Sequence, residues 1–268
     1  MVGPTASGKS EVAEGLAERF GAVVVSVDSM QVYRSMDIGT AKPTMSVRER
    51  VDYRMIDIAD PSEEMHAARF QDLGRSAIAE GLESHGRVII AGGSGLHFRS
   101  LVDPMTFAPH DESVRDRFAS LARDQAKEQL SAIDPGAGDV VDMANPRRVV
   151  RALEVHELTG ATPSQRYATP EASALRTYTP EIPFLGFGYD PGPASAARVR
   201  DRFIGMLDAG LVAEVTMIGS SLGRTASQAV GYREILDVVS GRTSLDEATE
   251  AAIGATNALV KRQRTYFR

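Results

Sequence analysis

Apolar residues recur at Val12, Leu16 and Phe20 along the stretch SEVAEGLAERF, with acids early, which predicts an amphipathic helix over residues 10–20. The run AVVVSV that follows has the length and β-branched content of a strand, and it would end at Asp28. YRMIDI, over residues 53–58, reads as a second strand. HAARFQDLGRSAIAEGLES reads as a helix, and RVIIAGG as a short, fully apolar strand running into glycines. Strands that alternate with helices and carry almost no polar positions predict a parallel α/β sheet covered on both faces.

The pattern changes at Pro104. Residues 104–180 hold several helical periodicities broken by Pro and Gly and no convincing strand, so they are expected to form a mostly helical insert. EIPFLGFGYD then reads as a returning strand. Helices follow at ASAARVRDRFIGMLDAG, YREILDVVS and SLDEATEAAIGATNALVKRQRTYF, the last opening with a capping-box spacing from Ser244 to Glu247. The expected architecture is α/β: a P-loop NTPase-like parallel sheet flanked by helices, built from residues 1–103 and 181–268, with the insert at 104–180.

Composition narrows the setting. The 268 residues are 43% hydrophobic, enough for a sizeable core, and there is no cysteine, no charged-then-apolar leader and no apolar run near 18 residues. Disulfides, secretion and a membrane partner therefore lose support, and a cytoplasmic monomer is expected. A net charge of −6 argues against a surface coated by nucleic acid, and the insert itself carries 9 Lys plus Arg against 11 Asp plus Glu. Any grip on a polyanion must come from a focused patch.

The candidate chemistry begins at GPTASGKS, which satisfies the P-loop pattern and leads into the first predicted helix. Gly3, Pro4, Thr5, Ala6, Ser7, Gly8, Lys9 and Ser10 would then form the cradle of a di- or triphosphate, held by the backbone N–H groups of the loop, Pro4 having none, and of the helix N-terminus. Lys9 adds a point charge and the Ser10 hydroxyl can hold Mg²⁺. The motif leaves open whether the ligand is ATP or another diphosphate. Asp28, at the end of the VVVSV strand, is placed to hold a metal, to act as a general base, or to cap a turn. The loop beyond it is rich in hydrogen-bonding groups: Gln31, Tyr33, Arg34, Asp37, Thr40 and Lys42. Ser94, after the glycines of AGGSGLHF, either caps a helix or turns its hydroxyl to the same crevice. Arg147 and Arg151 lie four apart and, by pattern alone, read equally as a solvated helix face. A P-loop small-molecule kinase and a nucleotide switch fit this much of the chain.

The ordered set GPTASGKS, SVDSMQVYRSMDIGTAKP, DIADP, GGSGLHFRSL, NPRRVVRALEV, AVGYREI and KRQRTYFR resembles the tRNA dimethylallyltransferase (tRNA isopentenyltransferase) family over nearly the whole chain. The resemblance implies transfer of a dimethylallyl group from dimethylallyl diphosphate to the exocyclic amine of the adenine 3′ of the anticodon. The P-loop would then hold the donor's diphosphate with Mg²⁺. It matches Asp28 to the family's base, Ser94 to a position usually Thr, and Lys9 to the catalytic lysine, with Arg198 and Arg202 as further diphosphate partners. The partner is the tRNA anticodon stem-loop, whose target adenine is flipped into a channel opposite the donor. Its contacts match Asp28, Ser29, Met30, Gln31, Ser94, Arg115, Arg147, Arg148, Val149, Val150, Arg151, Gln228, Ala229, Val230, Gly231, Tyr232 and Arg233. The basic tail over residues 261–268 could touch tRNA or complement a helix end. A relative acting on free adenine nucleotides is the alternative within the superfamily, against which the arginine-bearing insert argues.

A P-loop joins a central strand to a helix, and only Met1 and Val2 precede Gly3. Roughly five more apolar residues ahead of Met1 are therefore expected in the working protein, to give a strand of ordinary length. The family's relatives also run on past the segment matching KRQRTYFR.

Overall fold

The computed structural model describes residues 1–267, the side chain of Pro193 excepted, so Arg268 of the basic tail lies outside it. Three parallel strands, β1 (Val23–Ser26), β2 (Tyr53–Arg54) and β3 (Val88–Ala91), form a sheet in the order β2-β1-β3. β1 is central because it is apolar on both faces: Val23, Val24 and Val25 are fully buried. Its register pairs Val24 with Tyr53 on one side and Val23 through Ser26 with Val88 through Ala91 on the other. Asp28 and Ser94 follow β1 and β3, so both leave the sheet at its carboxyl edge, where ligands bind in open α/β sheets.

Around the sheet run α1 (Lys9–Phe20), α2 (Met45–Arg48), α3 (Ala67–His85) and α4 (Gly95–Val102). The buried face of α1 is not the Val12–Leu16–Phe20 stripe. Val12 and Phe20 are exposed, and Ala13 and Ala17 instead pack with Ala22, Val24, Val51 and Ala91. Small side chains let the helix lie close on the strands, so closeness outweighs side-chain volume on that face.

Two predicted strands are corrected. YRMIDI is a strand only at Tyr53–Arg54, because Met55 and Asp57 adopt φ of 64° and 57° and turn the chain out of the ladder. EIPFLGFGYD is not a strand either. It makes one parallel bridge, Gly188 to Val2, which also bridges Gly92. Val2 donates its N–H to Phe187 O at 2.9 Å and accepts from Tyr189 N at 2.9 Å, so a single rung joins the segment to β3.

The chain divides into two compact units: Met1–Leu101 with Phe184–Arg268, and Val102–Pro183. The second consists of α5 (Glu112–Ala119), α6 (Arg123–Ile133), α7 (Ala137–Val140), α8 (Pro146–Thr159), α9 (Pro163–Tyr167) and α10 (Pro170–Arg176). Its core is Phe118, Ala126, Leu130, Ala137, Val149 and Leu153, where α8 meets α5 and α6. α8 is bounded by local chemistry: Asn145 accepts the N–H of Arg147, Pro146 opens the first turn, and Gly160 closes it at φ 72°. The first unit ends with α11 (Ser195–Asp208), α12 (Leu211–Ile218), α13 (Tyr232–Val239) and α14 (Leu245–Tyr266), and the Ser244–Glu247 capping box forms as spaced. No single described helix is long and apolar enough to cross a membrane.

Candidate active site

The P-loop turns through left-handed backbone at Ala6 (φ 57°) and at Gly8 (φ 93°), which N-caps α1 without a side-chain cap. The first turn of α1 therefore lines a cavity of about 920 Å³ together with Ala6, Ser7, Gly8, Lys9, Ser10, Arg198 and Arg202. Gly3 and Pro4 are buried and line no part of it. They support the loop instead, the Pro4 carbonyl accepting from Lys9 Nζ at 3.2 Å. Arg198 donates to Ser7 O at 2.9 Å, fixing the loop from α11. Burial pulls the Lys9 ammonium down to about 8, Asp28 opposing and Arg202 assisting the shift. The Arg202 guanidinium is likewise lowered by burial and supported by Asp28. Lys42, Arg48 and Asp57 complete the wall. Their role was not legible, since Asp57 gathers both Lys42 and Arg48 only through its turn after β2.

A second cavity, of about 290 Å³, is lined by Thr5, Asp28, Ser29, Met30, Gly39, Thr40, Gly93, Ser94, Gln228, Ala229 and Val230. Arg202 and Met206 line both cavities, so the two spaces meet at α11. Asp28 Oδ1 accepts the N–H of Met30 at 2.9 Å and of Gln31 at 3.4 Å, while Oδ2 makes no hydrogen bond among the described residues. Oδ1 thus realises the turn-cap reading of Asp28, while the residue also lines this cavity. The Ser94 hydroxyl is not a helix cap: its carbonyl accepts from Phe98 N, while its Oγ lies 2.6 Å from His97 Nδ1. Gln263 ties the P-loop to the loop after β3, accepting from Thr5 N at 2.8 Å and donating to Gly93 O at 2.9 Å. His97 and Gln263 both lie inside GGSGLHFRSL and KRQRTYFR, but nothing in the sequence pattern distinguishes them from their neighbours.

Several expected contact residues are turned inward. Gln31 does not line the cavity: it accepts from Ser26 Oγ and donates to the carbonyls of Thr40 and Ala41. Tyr33 and Lys42, read as recognition groups, are buried, and Lys42 Nζ is spent on Tyr33 O, Asp37 and Asp57. Gly231 and Tyr232 are buried, and the Tyr232 hydroxyl donates to Glu214, with burial pushing it well above the usual phenol range. Arg233 stays exposed beside Glu234.

In the second unit Val149 belongs to the core and Val150 packs against it, so neither side chain is a free contact. Arg151 is committed to the carbonyls of Ala108 and Pro109 and to Glu154. Arg115 reaches Glu112 only at 4.0 Å. Arg147 and Arg148 are exposed and, with Arg151 and Arg166, line a cavity of about 510 Å³. Burial and then the neighbouring Arg151 hold the Arg166 guanidinium below its ordinary value. Among the described residues no group of three or more His, Asp or Glu is placed to hold a metal ion.

Residues 31–268 match the IPP transferase family. The chain is 38% identical over 278 residues to a tRNA dimethylallyltransferase of Bifidobacterium longum, covering all of this chain and 82% of that one. It superposes on the crystal structure of a tRNA delta(2)-isopentenylpyrophosphate transferase from Staphylococcus epidermidis with a TM-score of 0.69 at 31% identity, covering 99% and 88% of the two chains. A eukaryotic dimethylallyltransferase acting on tRNA shares the fold with a TM-score of 0.78 at 24% identity, over 100% of this chain and 68% of that one.

Proposed function

Since this chain belongs to the IPP transferase family, we propose that its two joined cavities are the donor and acceptor halves of one prenyl-transfer site. The enzyme transfers a dimethylallyl group from dimethylallyl diphosphate to the exocyclic amine of the adenine 3′ of the anticodon in tRNA. The observation that carries the residue assignment is that Asp28 and Ser94 line one cavity, Lys9 and Ser10 the other, and Arg202 both.

In the reaction the amine nitrogen attacks the allylic carbon, the carbon–oxygen bond to the diphosphate breaks, and the amine gives up a proton. Asp28 Oδ2 takes that proton, Oδ1 being held by two backbone amides. Adenine's amine lone pair is delocalised, so removing the proton as the new bond forms is where a base helps most. The leaving diphosphate gathers charge, which Lys9, Arg202 and the first-turn amides of α1 face. Arg198 holds the loop in that shape. The exposed Ser10 hydroxyl is a single hard-oxygen donor, which fits Mg²⁺, an ion that takes its remaining ligands from phosphate and water. When bound, Mg²⁺ would neutralise part of the diphosphate charge. Arg147, Arg148 and Arg166 supply the focused patch for the tRNA backbone. One chain supplies both cavities, which supports a monomer, and a tRNA substrate supports a cytoplasmic location.

The test is incubation with labelled dimethylallyl diphosphate and unmodified tRNA, followed by nucleoside analysis, for the wild type and for Asp28→Asn. Asp28→Asn should lower turnover by about 10²-fold or more and leave donor binding nearly intact. Full turnover in that variant refutes the base assignment. A large loss of Mg²⁺-dependent donor affinity would make Asp28 a metal-holding residue.

A further inference from the structure

We infer that His97 is a positioning residue that sets the direction of the Ser94 hydroxyl, making it a hydrogen-bond acceptor toward the target amine; this rests on the acceptor-cavity reading above. The Ser94 hydroxyl has one hydrogen bond among the described residues, to His97 Nδ1 at 2.6 Å. Its usual occupation at this position, capping the helix behind it, is not taken up. Ser94 immediately precedes α4 and His97 lies in its first turn, three residues on, which brings the two groups together.

The imidazole is itself fixed. Phe70, fully buried on α3, meets the ring edge-on with centroids 4.2 Å apart and an interplanar angle of 73°. The Ser100 hydroxyl donates to the His97 carbonyl at 2.8 Å, holding the turn. Burial keeps the ring below the usual imidazole range and therefore neutral, and the charged group that faces it, Asp28, opposes that shift.

A hydroxyl has one hydrogen and two acceptor sites. In the Nε2–H tautomer of the neutral ring, Nδ1 accepts the hydroxyl hydrogen and both acceptor sites of Ser94 Oγ remain for the cavity. The amine's two N–H groups then have two separate acceptors, one hydrogen to Asp28 and the other to Ser94, and its lone pair is left to face the donor carbon. Were the hydroxyl hydrogen free, it would compete for that same lone pair and blunt the nucleophile. His97 thus touches no reacting atom and acts through Ser94.

The experiment uses the full chain and steady-state kinetics with dimethylallyl diphosphate and an unmodified tRNA, active sites being counted by a single-turnover burst. His97→Phe keeps an aromatic ring against Phe70 and removes the acceptor. It should lower kcat by about tenfold, the order expected for one hydrogen bond lost from a transition state, with the donor KM unchanged. His97→Asn restores an acceptor near the Nδ1 position and should recover most of the loss; it also serves if the Phe variant folds poorly. Ser94→Ala should lose a similar factor, and adding His97→Phe to it should cost nothing more. A kcat within twofold of wild type in His97→Phe overturns the inference, as does a double variant that loses the product of the two single factors. Asp28→Asn assayed alongside separates the two levels: if it is inactive while His97→Phe is normal, only the His97 inference fails.

Discussion

Glu214, on α12, is the acceptor for an entire turn of backbone, and Glu214→Gln measures what that turn is worth. Its Oε2 takes the N–H groups of Asp37 at 3.0 Å and Ile38 at 2.8 Å, its Oε1 takes that of Gly39 at 3.2 Å, and the Tyr232 hydroxyl donates to it as well. Consecutive amides converging on one anion form a concave nest, here filled by a carboxylate of the same chain. A glutamine in its place keeps one oxygen. Turned toward Asp37 and Ile38, it sets an –NH₂ against the Gly39 N–H, which then has no acceptor. Two charge-assisted bonds become neutral, at about 1 kcal/mol each, and one part-buried donor is stranded at about 1–3 kcal/mol. Discounted for the water that reaches the Asp37 side, the expected loss is about 2–3 kcal/mol, a large share of the roughly 5–15 kcal/mol by which such units are stable. Urea unfolding followed by circular dichroism should show the midpoint lowered at constant slope. Hydrogen exchange should lose protection at residues 37–39. Because this turn lines both cavities, Gly39 and Thr40 on one side and Asp37 and Ile38 on the other, kcat should fall with the stability. A loss under about 0.5 kcal/mol, the scatter of ordinary surface changes, with protection unchanged, would refute the account.

With the Lys9 ammonium at about 8 in the free protein, donor affinity should be flat below that pH and weaken as pH rises through it, which isothermal titration across pH 6.5–9.5 would detect. The same depressed value means the unfolded chain binds more protons than the native one between pH about 8 and the ordinary lysine value of about 10.4, so this group's contribution to stability rises with pH across that window. Lys9→Met should flatten both dependences. Replacing Arg147 and Arg148 by Ala should raise the apparent KM for tRNA and flatten its salt dependence by roughly one unit of slope for each phosphate no longer neutralised, donor binding unchanged; an unmoved tRNA affinity would make them a solvated helix face. Gly95→Ala would drive a methyl into the Tyr266 ring, so it should cost about 1–3 kcal/mol and, by shifting the end of α14, loosen the Gln263 clamp on the P-loop. Calorimetry and donor titration would check both effects, and a wild-type Tm would refute the packing argument.

What the chain declares about itself is local. The octet ending in Lys9 and Ser10 forms its loop because Gly8 can take a positive φ ahead of a helix, and VVVS forms the central strand because it is apolar on both faces. The Ser244–Glu247 box starts α14, and Asn145, Pro146 and Gly160 bound α8, all through bonds spanning four residues or fewer. Asp28 and Ser94 were legible as crevice residues because each follows a strand of the parallel sheet. The failures lie where a side chain's partner comes from elsewhere in the chain. Tyr232 sits in a recognisable motif, yet it faces Glu214, eighteen residues earlier, which in turn holds a loop some 175 residues away. Arg151 shares a helix face with Arg147 but is captured by carbonyls 42 and 43 residues back. Val12 and Phe20 make the better apolar stripe on α1, but the strands accept only the closer fit of Ala13 and Ala17. Even His97, three residues from Ser94, gains its neutral, fixed ring from Phe70 on another helix. A periodicity records which residue types recur, whereas burial and hydrogen-bond partners depend on what the neighbouring element presents, and that is fixed only when the chain closes on itself.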